Sequence, residues 1–145
     1  GPGAEVILPV FEPGALLFVG DAHAVQGDGE ISGTGIEISA EVRLTVHVER
    51  GEEPVRWPRG RAGGERFTMG NARPLDQASQ HATTEMVRWL MEDFGLGAAD
   101  AGLLMSQTVR YEIGNVFDPA FTMVCRMPDA ALAFLTAREG DDTDA

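Results

Sequence analysis

The longest regular pattern in the chain is the alternation between residues 36 and 49. Ile36, Ile38, Ala40, Val42, Leu44, Val46 and Val48 fall on one side, and Glu37, Ser39, Glu41, Arg43, Thr45, His47 and Glu49 on the other. Side chains of an extended chain alternate with a period of two, so this spacing predicts a long strand with one buried face. The glutamates Glu37, Glu41 and Glu49, with His47, then belong to a solvated or interfacial face. Apolar runs at 5–10 and 15–19 predict two further strands, separated by a Pro13-Gly14 turn, and Pro9 puts the first at an edge or a bulge. Residues 20–35, rich in glycine and polar groups, predict a loop and a short strand. Residues 50–74 show little periodicity, although Glu65 to Met69 fits a strand.

The period then changes. Ala78, Ala82, Met86, Trp89, Leu90 and Phe94 recur three or four apart, which predicts a helix over 76–94 with Asp76 as N-cap and Gly95 as its stop. Met86, Trp89, Leu90 and Met91 are its core residues. A second helix is expected over 98–107 with Ala101, Leu104 and Met105 inward. Two strands follow at 108–115 and 120–127, and Pro128-Asp129 opens a short helix to about Ala137. The order of elements predicts an α+β fold: a mostly antiparallel sheet with two or three helices packed on one side and a Gly-rich loop after an early strand. Residues 1–138 are expected to form one domain, and the acidic stretch 139–145 a disordered tail.

The 145 residues suffice for one domain with a hydrophobic core. The net charge of −12 speaks against nucleic acid and against an anionic membrane as partners, because neutralising phosphates requires a basic surface. The single cysteine, Cys125, allows no intrachain disulfide and sits in an apolar strand context that predicts a buried thiol. No apolar run reaches membrane-spanning length and no secretory pattern opens the chain, so a cytoplasmic location is expected.

Chemistry concentrates between residues 20 and 30. Asp21, His23, Gln26, Asp28 and Glu30 crowd there, separated by Gly20, Gly27 and Gly29. Carboxylates and an imidazole at this density are costly to hold together without a cation or protons. Asp21 and His23, two positions apart, suit a transition metal that accepts imidazole nitrogen and carboxylate oxygen. Asp28 and Glu30 share the same spacing and suit a hard cation or a general base. A polar loop whose acids cap turns is the competing reading. His47 and His81 read as surface residues, and Trp57 as a loop anchor.

The run Asp21-Ala22-His23-Ala24-Val25-Gln26-Gly27-Asp28-Gly29-Glu30, followed by Ser32-Gly33-Thr34-Gly35-Ile36-Glu37, resembles the GDGHAAQGDGE…GTAIE stretch of the acetamidase/formamidase family. The lead-in from Gly1 to Leu17 is similar to that family's approach to the motif. Asn115-Val116-Phe117-Asp118-Pro119 and Phe121-Thr122-Met123-Val124 resemble its later VxDPNxTV strand. The resemblance runs in order from Gly1 to Pro128 and corresponds to the C-terminal, motif-bearing half of longer chains. One departure is Ala22, where the family has glycine. Alanine fits there unless the position needs a positive φ.

The resemblance implies metal-assisted hydrolysis of a small linear amide, such as formamide or acetamide, to a carboxylate and ammonia. It implies a divalent metal at Asp21 and His23, zinc by its ligand chemistry, with calcium an option near Asp28 and Glu30. It implies Glu30 as general base, Gln26 as orienter of the carbonyl oxygen, and Asp28 as ligand or orienter. Asp118 becomes a support for the site. The partners implied are a small amide and either a homo-oligomer or a chain equivalent to the family's other half. The alternative is a non-catalytic subunit that needs a second chain to complete the pocket. Either way an apolar patch should be exposed, with 5–10 and 117–127 as candidates.

Overall fold

The computed structural model describes residues 2–50, 55–117 and 119–138. Its centre is an antiparallel five-stranded sheet and a long helix, in an α+β arrangement. The strands are β1 (Glu5–Ile7), β2 (Arg59–Ala62), β3 (Glu65–Ala72), β4 (Arg110–Asn115) and β5 (Phe121–Pro128), in the order β1-β2-β3-β5-β4. The helices are α1 (Leu75–Phe94), α2 (Ala98–Thr108) and α3 (Ala133–Arg138), the last preceded by a 3-10 turn at Asp129–Leu132.

The β2–β3 hairpin turns on Gly63-Gly64, both at positive φ (62° and 77°), as a two-residue hairpin loop requires. Helix α1 lies across β3 and β5. Thr68 Oγ1 donates to the Ala82 carbonyl at 2.7 Å, fixing helix to strand. A Cβ on Gly70 would run into the Ala78 carbonyl and the Ala82 nitrogen, so the helix rests on bare backbone there. Ala82, Met86, Trp89 and Leu90 of α1 pack with Ala101 and Met105 of α2, Cys125 and Met127 of β5, and Leu132. Each large apolar side chain buried this way contributes about 1.5–3 kcal/mol.

Strand β2 departs from the expected irregular segment. The side chains it lays over Trp89 are the arginines Arg59, nearly buried, and Arg61, still 44% exposed, so no apolar period marks it. The guanidinium carbons of Arg59, Arg61 and Arg66 lie 5.0, 5.1 and 4.9 Å from the centre of the Trp89 ring. Arg59 pairs with Glu92 at 2.8 Å, and Arg61 and Arg66 share Asp93 at 3.1 and 3.2 Å. Buried arginine is tolerable here because each charge meets a carboxylate and an aromatic face. Glu85, beneath Arg59 and Arg88, has its carboxyl pushed up by burial, against the downward pull of both guanidiniums.

Several expectations are corrected. The segments 15–19 and 36–49 form no strand, and of the run 5–10 only Glu5–Ile7 is paired. A strand needs a neighbouring ladder as well as an alternating pattern. Among the described residues none pairs with 15–19 in a ladder. The segment 36–49 has only a bridge between His23 and Glu37 and a few flanking bonds. The expected buried face stays in the open, with Leu44 at 54% and Val46 at 62% exposure. Helix α1 starts at Leu75 with Pro74 as N-cap, so Asp76 falls inside the first turn, where its charge still favours the helix N-terminus. Met91 points outward on α1 and is exposed. Gly95 stops α1 as expected, and Cys125 is buried. The stretch 139–145 and Asp118 lie outside the described residues.

Candidate active site

The motif segment has no regular secondary structure, and its shape comes from a short antiparallel clasp. Ala24 N–H donates to the Ile36 carbonyl at 2.8 Å, Ile36 N–H to Val25 at 2.9 Å, and Ile38 N–H to Ala22 at 3.0 Å. These bonds set His23 opposite Glu37. Between the two stems the chain turns at Gly27–Glu30, closed by Glu30 N–H to the Gly27 carbonyl at 3.2 Å with Gly29 at φ 82°. Asp21 (φ 62°) and Glu30 (φ 46°) are the only non-glycine residues in the left-handed region among those described. Such backbone costs of order 1–3 kcal/mol per residue and concentrates at functional sites. Ala22, the departure from the family pattern, is not among them, so its side chain meets no backbone objection.

The clasp brings three ligating groups together. His23 Nε2 lies 2.8 Å from Glu37 Oε1 and 3.3 Å from Asp21 Oδ1. One ligand atom from each of the three residues lies within 4.8 Å of the others. The imidazole is enclosed, at 6% side-chain exposure, while both carboxylates reach solvent. A Cβ on Gly35 would come 2.7 Å from the ring, so the glycine makes the seat for the imidazole. His23 Nδ1 lies 2.7 Å from Gln26 Oε1, and since an amide oxygen can only accept, the Nδ1–H donates. Neutral His23 therefore turns the lone pair of Nε2 toward the carboxylates. Nε2 is buried without a hydrogen bond of proper geometry, despite its closeness to Glu37. The bond to Gln26 raises the His23 pKa above its ordinary value, as do the Glu37 and Asp21 carboxylates, while desolvation of the ring opposes them. A positive charge between Nε2 and the two carboxylates, a proton on the ring or a bound cation, would satisfy all three groups. One imidazole and two carboxylates fit a zinc-type ion.

Of the residues singled out from sequence, Asp21 and His23 lie with carboxylate and ring 3.3 Å apart. Gln26 is engaged through its oxygen in fixing the His23 ring. Asp28 occupies the exposed corner of the Gly27–Glu30 turn. Glu30 stands outside the trio, with Oε2 accepting from Asn115 Nδ2 at 3.3 Å. Glu37 is the third member of the trio, a residue that alternation assigns to a wet face. Its place at the end of Gly33-Thr34-Gly35-Ile36-Glu37, within the family-like stretch, is the sequence signal that points to it. Thr34 Oγ1 reaches Glu37 Oε1 at 3.4 Å. His47 is exposed, and His81 is half-buried, stacked on Trp57 with ring centres 4.4 Å apart.

The motif segment meets the sheet at a seam around Val116 and Phe117. Val116 N–H donates to the Gly29 carbonyl at 2.8 Å. A Cβ on Gly29 or Gly33 would collide with the side chain of Val116 or Phe117, respectively. Arg73, at the end of β3, holds the far side of that turn, with Nε to the Pro119 carbonyl at 2.6 Å and Nη2 to Phe117 at 2.9 Å.

The sequence model of the acetamidase/formamidase family matches residues 1–59, which carry the whole clasp. The fold is similar to a solved acetamidase from Yersinia enterocolitica, with 36% identity and a TM-score of 0.75, covering 91% of this chain and 40% of that one. It is similar to a solved acetamidase/formamidase from Thermoanaerobacter tengcongensis, with 34% identity and a TM-score of 0.83, covering 92% of this chain and 44% of that one. An acetamidase from Bacillus halodurans matches at 27% identity and a TM-score of 0.72, over 94% of this chain and 45% of its own. The chain thus spans less than half the length of each of these proteins. The agreement covers the motif segment and the sheet alike: residues 1–59 match the acetamidase/formamidase family model, and the described fold is similar to that of the solved acetamidases.

Proposed function

We propose that this chain supplies one wall of the active site of an amide hydrolase, acting on a small linear amide and releasing a carboxylate and ammonia. The observation that carries the proposal is the convergence of His23 Nε2 with Asp21 and Glu37, the imidazole being locked by Gln26 with its lone pair inward. Those three residues would hold a divalent ion of the zinc type. Such an ion supplies electrophilic polarisation of the amide carbonyl and lowers the pKa of water. Gln26, its oxygen committed to His23, has its amide nitrogen to donate to the carbonyl oxygen. Glu30 takes the proton from the attacking water and passes it to the leaving nitrogen, so the C–N bond breaks as ammonia forms.

The same reading gives the exposed apolar row a purpose. Ile38, Val42, Leu44 and Val46 are each about half exposed or more, beside the clasp. Polypeptide equivalent to the remainder of the family's length, in the same chain, a second chain or another copy, would add the missing ladder there and complete the pocket. The test is metal content and ammonia release from formamide and acetamide, measured on an assembly containing this chain. His23→Ala and Glu37→Gln should lose the metal and the activity together. Gly35→Ala should weaken metal binding by displacing the ring, by about 10–100-fold, as outer-shell changes do. Unchanged metal affinity in both His23→Ala and Glu37→Gln would refute the site.

A further inference from the structure

Among the described residues the sheet reaches Glu30 through the Asn115 side chain, and the backbone is irregular where it does so. Strands β4 and β5 pair in step from Arg110↔Arg126 to Ile113↔Met123, and then Asn115 rather than Gly114 stands opposite Thr122. The extra residue is a bulge, and a bulge re-aims the side chain that follows it. The re-aimed residue is Asn115. Its Oδ1 accepts the Phe117 N–H at 3.0 Å, which fixes which end of the amide faces which way. The Nδ2 end is thereby directed to Glu30 Oε2, at 3.3 Å. Glu30 itself sits on left-handed backbone, and Gly29 is tied to Val116 on the same seam.

We infer that Asn115 is a positioning residue for the Glu30 carboxylate: the bulge at Gly114 and the Phe117 N–H aim its amide nitrogen at Glu30 and hold that carboxylate in one orientation. An amide donor suits the task. It carries no charge, so it orients the carboxylate without tying up its negative charge in an ion pair. Asn115, Val116 and Phe117, packed on the turn, bring no titratable side chain to Glu30. Within the turn Asp28 is the other acid, and it is exposed. The catalytic part of this inference rests on the proposed role of Glu30 as base.

The experiment compares Asn115→Asp with Asn115→Ala in an active assembly, and adds side-chain amide NMR on asparagine-labelled chain. Asn115→Asp keeps the acceptor for the Phe117 N–H and turns the end facing Glu30 from a donor into a second carboxylate, so an Asn115 that served only the Phe117 turn predicts a near wild-type kcat and pH profile for it. The positioning role predicts a kcat loss of about 10–100-fold with little change in KM. It also predicts that the acid limb of the pH–rate profile moves up, since a second carboxylate now faces the first. In the labelled chain, Glu30→Gln should shift the Asn115 side-chain amide resonances. An Asn115→Asp assembly with wild-type kcat and pH profile overturns the positioning role, and so do unshifted amide resonances. Full activity in Glu30→Gln with shifted resonances would instead remove Glu30 as base and leave Asn115 as the group that holds it.

Discussion

The region from Trp57 to Leu135 and the segment from Leu8 to Val48 spend their apolar residues in opposite ways. In the first, Met86 and Leu90 are fully buried and Trp89 is 1% exposed, each packed by neighbours from the same region. In the second, Phe18 is 84% and Val48 80% exposed, and order comes from a hydrogen-bonded clasp and glycine contacts. Yet the second holds the candidate chemistry. A ligand cluster can be shaped by a few backbone bonds, but burying an apolar face needs a second surface. The two regions meet where Gly29 and Gly33 touch Val116 and Phe117, and there the first region lends the second some of its rigidity.

The largest effect that tests this contrast belongs to Gly70. Its missing side chain lets α1 lie on β3, and a methyl group there would strike the backbone of Ala78 and Ala82 rather than a flexible side chain. Gly70→Ala should therefore destabilise the fold by about 3–5 kcal/mol, in the range of severe overpacking. Denaturant titration of the purified chain measures it. A loss below about 1 kcal/mol would mean that the helix–sheet contact is loose and the packed region less distinct than its burial suggests.

The same contrast governs what the sequence discloses. Helix α1 is legible because its 3.6-residue stripe meets β3 and β5 within the chain, so pattern and burial agree. The alternation at 36–49 is just as clear, but a strand is a relation between two segments, and the described residues supply only the start of a ladder. Strand β2 is hidden for another reason: Arg59 and Arg61 do the packing, over Trp89, so its inward face reads as charged. The Gly63-Gly64 pair is the local signal that could reveal it. At the site, Asp21 and His23 are legible from their spacing. Glu37 is not, because it joins them across the clasp from a position fourteen residues after His23. Asn115 needs the bulge at Gly114, which no period encodes.

A smaller effect separates the regions by pH. Burial pushes the Cys125 thiol up to about 11 from 9.0, against the smaller downward pull of the Tyr111 and Thr68 hydroxyls beside it. An acid whose pKa is raised on folding contributes stability that is full below its unfolded value and is lost as pH rises through its folded value. Stability should thus be level to pH 9 and fall by about 3 kcal/mol through pH 11, from this thiol alone. Urea midpoints across that range measure it, and Cys125→Ala should shrink the fall to the part that Tyr111, its hydroxyl also pushed up by burial, contributes. An equal alkaline fall in that variant would place the sensitivity elsewhere.

The smallest effect is expected where the apolar pattern is strongest. Leu44 and Val46 look like core residues by alternation, and polar replacement of core residues is ordinarily severe. In this chain both side chains are more than half exposed, so Leu44→Ser with Val46→Ser should leave the unfolding free energy of the isolated chain within about 0.5 kcal/mol of wild type. The same pair should abolish assembly with the polypeptide that completes the pocket, because the row would then offer no apolar face to a new strand. Sedimentation with and without that polypeptide reads both halves of the prediction. A large loss of stability in the isolated chain would show that the row is already covered by the chain itself. Unimpaired assembly would show that the second surface docks elsewhere, and the division between a packed region and a waiting one would have to be redrawn.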